Sequence, residues 1–261
     1  MSVLRRGLPW LIVYFRGQYR GPPAWAGVLL VTGALVAGCS PGSTPKVTAI
    51  QKAPTTTTST LAPTTTTTTT TIPPFTSVVS LVTTSQLGAT WHIGCPVDAN
   101  QLRQIQMDYW GFDNQAHVGT MVVNAAVVQS VIHVFSMLYA ARFPIYEMIP
   151  QSMYGGVDDV AAAADDTSGF NCRFAVAPGP PQWSMHAYGE AIDVNDVQNP
   201  YIDGATIIPP AGAAYEDRAD VRPGMAVLGG TLVNAFASVG WPWGGRWTGG
   251  VDYQHFSLNG R

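Results

Sequence analysis

Lysine is almost missing from this chain of 261 residues: there are two, Lys46 and Lys52, and none after them. From Gln86 onward seven arginines stand against sixteen carboxylates. A field of that sign repels phosphate, so nucleic acid and anionic membrane surfaces are excluded as partners of this span. A bound dication would relieve part of the repulsion. The same span has no Gly-x-Ser-x-Gly, so the strand-to-helix elbow of one large class of serine hydrolases is absent. Cysteine is scarce as well, with three residues, Cys39, Cys95 and Cys172.

The first 38 residues carry four charges, all arginine (Arg5, Arg6, Arg16, Arg20), followed by the uncharged, mostly apolar run 21–38. That run is short for a spanning helix and rich in Gly and Ala, so 1–38 is read as an export signal. It ends in Leu35-Val36-Ala37-Gly38-Cys39, which resembles the lipobox of bacterial lipoproteins. The resemblance implies cleavage before Cys39 and acylation of its thiol, leaving the protein lipid-anchored on the outer face of the bacterial cytoplasmic membrane. Residues 39–85 follow as a tether dominated in its first part by Thr, Pro and Ser. Such a segment has too little apolar surface to offset the entropy of ordering it. With Cys39 assigned to lipid, Cys95 and Cys172 remain as a pair in an oxidising compartment, and a disulfide is expected. A two-cysteine zinc site is the rival reading; it is set aside, with His92 and His117 taken as structural.

The folded domain is expected over 86–261, enough for one core. A helix is expected at 98–107 and a short strand at 120–123. Asn124 then caps a long helix over 125–142, whose Val127, Val128, Val131, Phe135, Leu138 and Tyr139 recur at helical spacing. His133 lies in that helix as a surface or packed histidine. Pro144 stops it, and 145–149 reads as a strand. A small helix at 158–164, strands at 174–176, 191–194 and 253–258, and a helix at 232–239 closed by Gly240 complete the pass. Helices and strands come in irregular order, which predicts an α+β fold with a small mixed or antiparallel sheet packed with helices.

The chemistry gathers in two stretches. Ser184-Met185-His186-Ala187-Tyr188-Gly189-Glu190-Ala191-Ile192-Asp193 sets a histidine on a small-residue turn and a carboxylate on an apolar run. Asp252-Tyr253-Gln254-His255-Phe256 supplies a second such pair. A catalytic zinc takes three ligands of His or carboxylate type and leaves one position open. His186, Asp193 and His255 fill that set. Asp252 is left as the base that takes a proton from the attacking water. Residues three apart on a regular strand face opposite sides, so Asp252 and His255 reach one point only if the strand is interrupted between them. Glu190, at an odd offset from Asp193, is expected to face solvent. The Trp-rich run 241–247 suits either a cleft wall or the core. The acidic residues Asp158, Asp159, Asp165 and Asp166 match no calcium-loop spacing.

These residues resemble the zinc D-alanyl-D-alanine carboxypeptidases and L-alanyl-D-glutamate endopeptidases, whose domain is shared with the hedgehog signalling proteins. The family pattern Ser-x-His-x-x-Gly-x-Ala-x-Asp, with a later acidic residue three before His-Phe, is met by Ser184, His186, Gly189, Ala191, Asp193, Asp252, His255 and Phe256. The resemblance runs from about residue 117 to 256. It implies zinc as cofactor and peptidoglycan stem peptides as substrate, with hydrolysis of a terminal D-alanine or, in the endopeptidase reading, of an internal bond. It also makes Arg173 the holder of a substrate carboxylate or oxyanion, with Ser184 and Tyr188 as further substrate contacts. A wall-binding lipoprotein without turnover is the non-enzymatic reading.

Overall fold

The computed structural model describes residues 72–176 and 180–261. The expected signal segment, the expected acylation site Cys39 and most of the expected tether lie outside the described residues. Folded structure begins earlier than Gln86: β1 (Ser77–Leu81) pairs antiparallel with β2 (Leu102–Gly111) along its whole length, Ser77 opposite Met107 and Leu81 opposite Arg103. The expected boundary at 85 is therefore too late. The strand satisfies its backbone groups on a neighbour distant in sequence, which local composition does not reveal. A short helix, α1 (Thr84–Leu87), follows, with a capping box between Thr83 and Gln86.

The helix expected at 98–107 is a second correction. A single 3₁₀ turn, Ala99–Gln101, leads directly into β2. Leu102 packs in a small cluster with Val82, Leu87, Val97, Val122, Phe170 and Cys172, while Ile105 and Met107 enter the main core. A strand serving two clusters spaces its apolar residues by three, which imitates a helical stripe. β3 (Ala116–Asn124) pairs antiparallel with β2, and β4 (Pro144–Ile145) adds two parallel residues on the edge of β2. The rest of the strand expected at 145–149 is irregular, with one bridge between Glu147 and Asp166.

Asn124 ends β3 and accepts from the Ala126 amide at 3.0 Å, a cap of the kind that contributes about 1 kcal/mol. A 3₁₀ turn separates it from α2 (Val128–Ala140), whose Val128, Val131, Phe135, Leu138 and Tyr139 are buried as the spacing predicts, together with Val134, which it did not single out. After the small helix α3 (Asp158–Ala163) come α4 (Met185–Tyr188) and β5 (Ala191–Asp193). Next are β6 (Tyr201–Asp203), β7 (Thr206–Ile208), α5 (Thr231–Ser238), β8 (Val251–Asp252) and β9 (His255–Ser257). The strand expected at 174–176 reduces to a single bridge, Phe174 to Trp183.

The architecture is α+β, with three separate small sheets among the described residues: β1, β2, β3 and β4; β5 with β9; and β7, β6 and β8. One core joins the first sheet to the second. Ile105, Met121 and Val123 meet α2, which meets Leu232 and Phe236 of α5, and these meet Ile192 and Phe256. Phe236 and Phe256 stack at 4.1 Å between ring centres. The two-stranded β5/β9 pair is thus held by its apolar face. Its other face carries the polar residues below. Among the described residues no helix is long and apolar enough to cross a membrane.

Candidate metal centre and active-site cleft

The register of β5 and β9 builds the centre. Ile192 stands opposite Phe256, and Asp193 opposite His255. Side chains on a strand alternate, so the pair that buries Ile192 and Phe256 in the core turns Asp193 and His255 together to the opposite side. His255 Nδ1 lies 3.1 Å from Asp193 Oδ1.

His186 reaches the same point from α4. Ser184 caps this helix, accepting from the His186 amide at 3.3 Å. Gly189 ends it in the left-handed conformation, φ 68°. The end of β3 holds the turn: the Asn124 amide donates to Gly189 O at 2.9 Å and its side chain to Tyr188 O at 3.0 Å. His186 Nε2 is thereby set 3.0 Å from Asp193 Oδ2 and 3.2 Å from His255 Nδ1.

The tautomers follow from the outer partners. His186 Nδ1 meets Gly169 O at 2.6 Å, and His255 Nε2 meets Arg261 O at 2.8 Å. A main-chain oxygen only accepts, whether of a peptide carbonyl or of a carboxylate, so both of these nitrogens carry hydrogen. Each neutral ring then turns a lone pair inward, at His186 Nε2 and His255 Nδ1. Two lone pairs and a carboxylate converge, each residue no more than 5% exposed. Such a point demands positive charge. Burial works against protonating His186, yet Asp193 overrides it and holds its pKa above the usual value; burial likewise raises Asp193, and the two imidazoles more than reverse it. The ligand atoms lie within 4.8 Å of one another, and the donor set fits a divalent cation of the imidazole- and carboxylate-preferring kind.

Above this point is a cleft of about 1090 Å³. Asp252 lines it together with His186 and His255. The strand is interrupted as required: β8 ends at Asp252, paired with Tyr201, and a bend over Tyr253 and Gln254 precedes β9. Gly244 packs against both residues, where a Cβ would come within 2.5 Å of Asp252 O and 3.3 Å of His255 Cβ. Burial, then the charge of Asp193, push Asp252 up to about 7, with His255 and Arg173 opposing. Its Oδ1 is buried without a hydrogen-bond donor.

Arg173 also lines the cleft, and its Nη2 is 2.8 Å from Asp158 Oδ2. Asp158 is a cleft residue that the acidic run did not single out. Glu190 is another: it lines the cleft, half-buried, and burial raises its pKa. The expected solvent-facing position is wrong because β5 begins only at Ala191, so strand alternation does not extend back to residue 190. Tyr188 is on the cleft wall, while the Ser184 hydroxyl is engaged in capping His186. The Trp-rich run divides its labour: Trp241 and Trp243 enter the core, and Trp247 lines the cleft with its ring 5.2 Å from that of His255.

Cys95 and Cys172 are bonded, S–S 2.06 Å, directly before Arg173. His92 stands beside them, its Nε2 3.6 Å from Cys172 Sγ. His117 pairs with Asp113 at 2.9 Å on the exposed end of β3, and His133 is exposed on α2. Asp165 and Asp166 are buried and accept backbone amides of Val197 and Ile149.

Two buried imidazoles, a carboxylate between them and a second carboxylate on the cleft wall form the arrangement a metal-dependent hydrolase requires. Residues 178–258 match a family model described as D-alanyl-D-alanine carboxypeptidase, a span containing His186, Asp193, Asp252 and His255. The match supports a peptidase. No curated protein and no solved structure matches the chain.

Proposed function

We propose that the cleft hydrolyses a peptide bond of peptidoglycan stem peptides, as a zinc D,D-carboxypeptidase that removes a terminal D-alanine. The observation that carries this reading is the convergence of His186 Nε2, Asp193 and His255 Nδ1 at the cleft floor, inside the span that matches the carboxypeptidase family. These three residues would hold the zinc. Bound there, it would supply a Lewis acid for the scissile carbonyl and make water easier to deprotonate.

The chain's own residues do the rest. Asp252, pushed up to about 7, takes the proton of the attacking water and returns it to the leaving amine, a task that favours a pKa near the working pH. Its unpartnered Oδ1 is the acceptor. Arg173 turns guanidinium donors toward the substrate carboxylate or the developing oxyanion, with Asp158 holding the group in place. Tyr188 and Trp183 offer a wall for the peptide. Burial of the three ligands keeps competing water out and strengthens each of these contacts.

A second reading, an endopeptidase of the L-alanyl-D-glutamate type, is favoured by the volume of the cleft, which exceeds the need of a dipeptide end. Export through the segment 1–38 and a lipid on Cys39, with the Thr-rich tether giving reach, would bring the cleft to the cell wall. A wall-binding role without turnover leaves the buried, donorless carboxylate of Asp252 without a purpose.

Mass spectrometry of purified muropeptides after incubation with the zinc-loaded protein tests the proposal. Loss of D-alanine is expected. Asp252→Asn should keep the metal and turn over about 10²–10⁴-fold more slowly. Internal cleavage would select the second reading, and unchanged muropeptides with wild-type protein would refute both.

A further inference from the structure

The two imidazoles of the centre are oriented by backbone oxygens of very different standing. Gly169, which orients His186, lies in a buried segment of the domain, between Ser168, bridged to Asp193, and Phe170, whose amide donates to Val122 O. Arg261, which orients His255, belongs to residues 259–261, a short stretch folded back over the cleft beyond β9. We propose that residues 259–261 are a positioning strap: the backbone oxygen of Arg261 fixes the tautomer and the angle of the His255 ring, so that Nδ1 is presented to the metal. The inference rests on the zinc reading above and extends it to a part of the chain outside the ligand pattern.

Two contacts tie the strap to the domain, and a third braces it internally. Ser257 Oγ donates to Arg261 O at 2.8 Å, the same oxygen that accepts from His255 Nε2. Trp247 Nε1 donates to Gly260 O at 2.9 Å. Arg261 N donates to Asn259 Oδ1 at 3.1 Å. Gly260 takes a left-handed φ of 78°, which turns the chain back toward the ring. Its Cα packs on Pro242, where an added Cβ would stand 3.0 Å from the proline Cβ. Trp247 therefore serves twice. Its indole ring lies against His255 and its N–H anchors the strap that orients the same residue.

The physical consequence is specific. An imidazole hydrogen-bonded at one nitrogen is locked as the tautomer with its lone pair on the other. Without Arg261 O, His255 Nε2 faces water that can donate or accept, and the ring can place hydrogen on Nδ1 instead, where Asp193 Oδ1 would accept it. Metal binding then has to displace that hydrogen and reorient the ring. Removing an outer partner of a metal-bound histidine commonly weakens metal affinity about 10–100-fold.

The test uses the otherwise intact protein with a stop codon after Leu258, beside Trp247→Phe, which keeps an aromatic ring and removes the N–H. His255→Ala serves as the reference for loss of a ligand. Zinc affinity is read by competition with a chromogenic chelator. The His255 tautomer is read by imidazole ¹⁵N chemical shifts of metal-free protein at alkaline pH, and thermal unfolding checks the fold. The truncated protein is expected to stay folded, to bind zinc about 10–100-fold more weakly, and to shift hydrogen from Nε2 toward Nδ1; Trp247→Phe should move both readouts in the same direction. Wild-type zinc affinity and wild-type ¹⁵N shifts in a folded truncated protein would overturn the strap. Should the truncation unfold, Trp247→Phe decides by the same two readouts. If His255→Ala binds zinc as tightly as wild type, the zinc reading fails instead, and the tautomer measurement still judges the strap.

Discussion

Asp166 is fully buried, with one carboxylate oxygen accepting from the Ile149 amide and the other without a donor. Burial pushes its pKa up to about 8, against about 3.9 for an unfolded aspartate. Between those values the folded chain holds a proton that the unfolded chain has released. Stability from this group is therefore greatest below about pH 4 and falls as pH rises through 8. Asp166→Asn keeps an acceptor for Ile149 and removes the charge. Thermal unfolding across pH should show the variant more stable than wild type by about 1–3 kcal/mol at alkaline pH, with the gap closing toward acid. Parallel curves would contradict the assignment. At this scale the sequence discloses residues whose identity is the signal. His186, Asp193, His255 and Asp252 stand in a spaced pattern; the structure gathers the first three at one point and sets Asp252 on the cleft that His186 and His255 also line. Gly169 O, Arg261 O and the Asp158 partner of Arg173 were not legible. A main-chain acceptor leaves no trace in residue type, and a pair joined across a fold leaves none in spacing.

Among the elements, the four-residue helix α4 depends on one glycine. Gly189 has φ 68°, and a Cβ there would meet Asn124 N at 2.6 Å, the amide that donates to Gly189 O. Gly189→Ala strains the backbone and parts α4 from the end of β3. It should cost about 1–3 kcal/mol of stability and weaken zinc binding, because His186 moves with the helix; chemical denaturation and chelator competition measure the two. Loss of stability with unchanged affinity would show that β3 does not set His186. The elements themselves were unevenly legible. α2 and α5 were readable because one apolar face repeats over two or more turns. β2 was misread, since its apolar residues serve two clusters. β1 has four exposed residues of five and is held by its ladder to β2, so its side chains carry almost no pattern.

For the described domain as a whole, one core presses β5 and β9 together from the apolar side, and their polar side becomes the floor of the cleft. The disulfide ties the segment before Arg173 to a loop 77 residues earlier, a closure of the kind that contributes about 2–4 kcal/mol. Four of the carboxylates are partnered inside the domain: Asp193 between two imidazoles, Asp158 on Arg173, Asp165 and Asp166 on main-chain amides. This arrangement was foreshadowed by composition only as a need for positive charge. The central claim is that hydrolysis depends on one metal held by His186, Asp193 and His255. Its most direct measurement is stem-peptide hydrolysis, followed by mass spectrometry, for protein stripped with a chelator and then titrated with zinc. The account predicts no product from the stripped protein, and activity that rises to a plateau at about one zinc per chain, the number a three-ligand site holds, with no recovery in His186→Ala or His255→Ala. Undiminished hydrolysis by stripped protein, or full recovery in either variant, would contradict it.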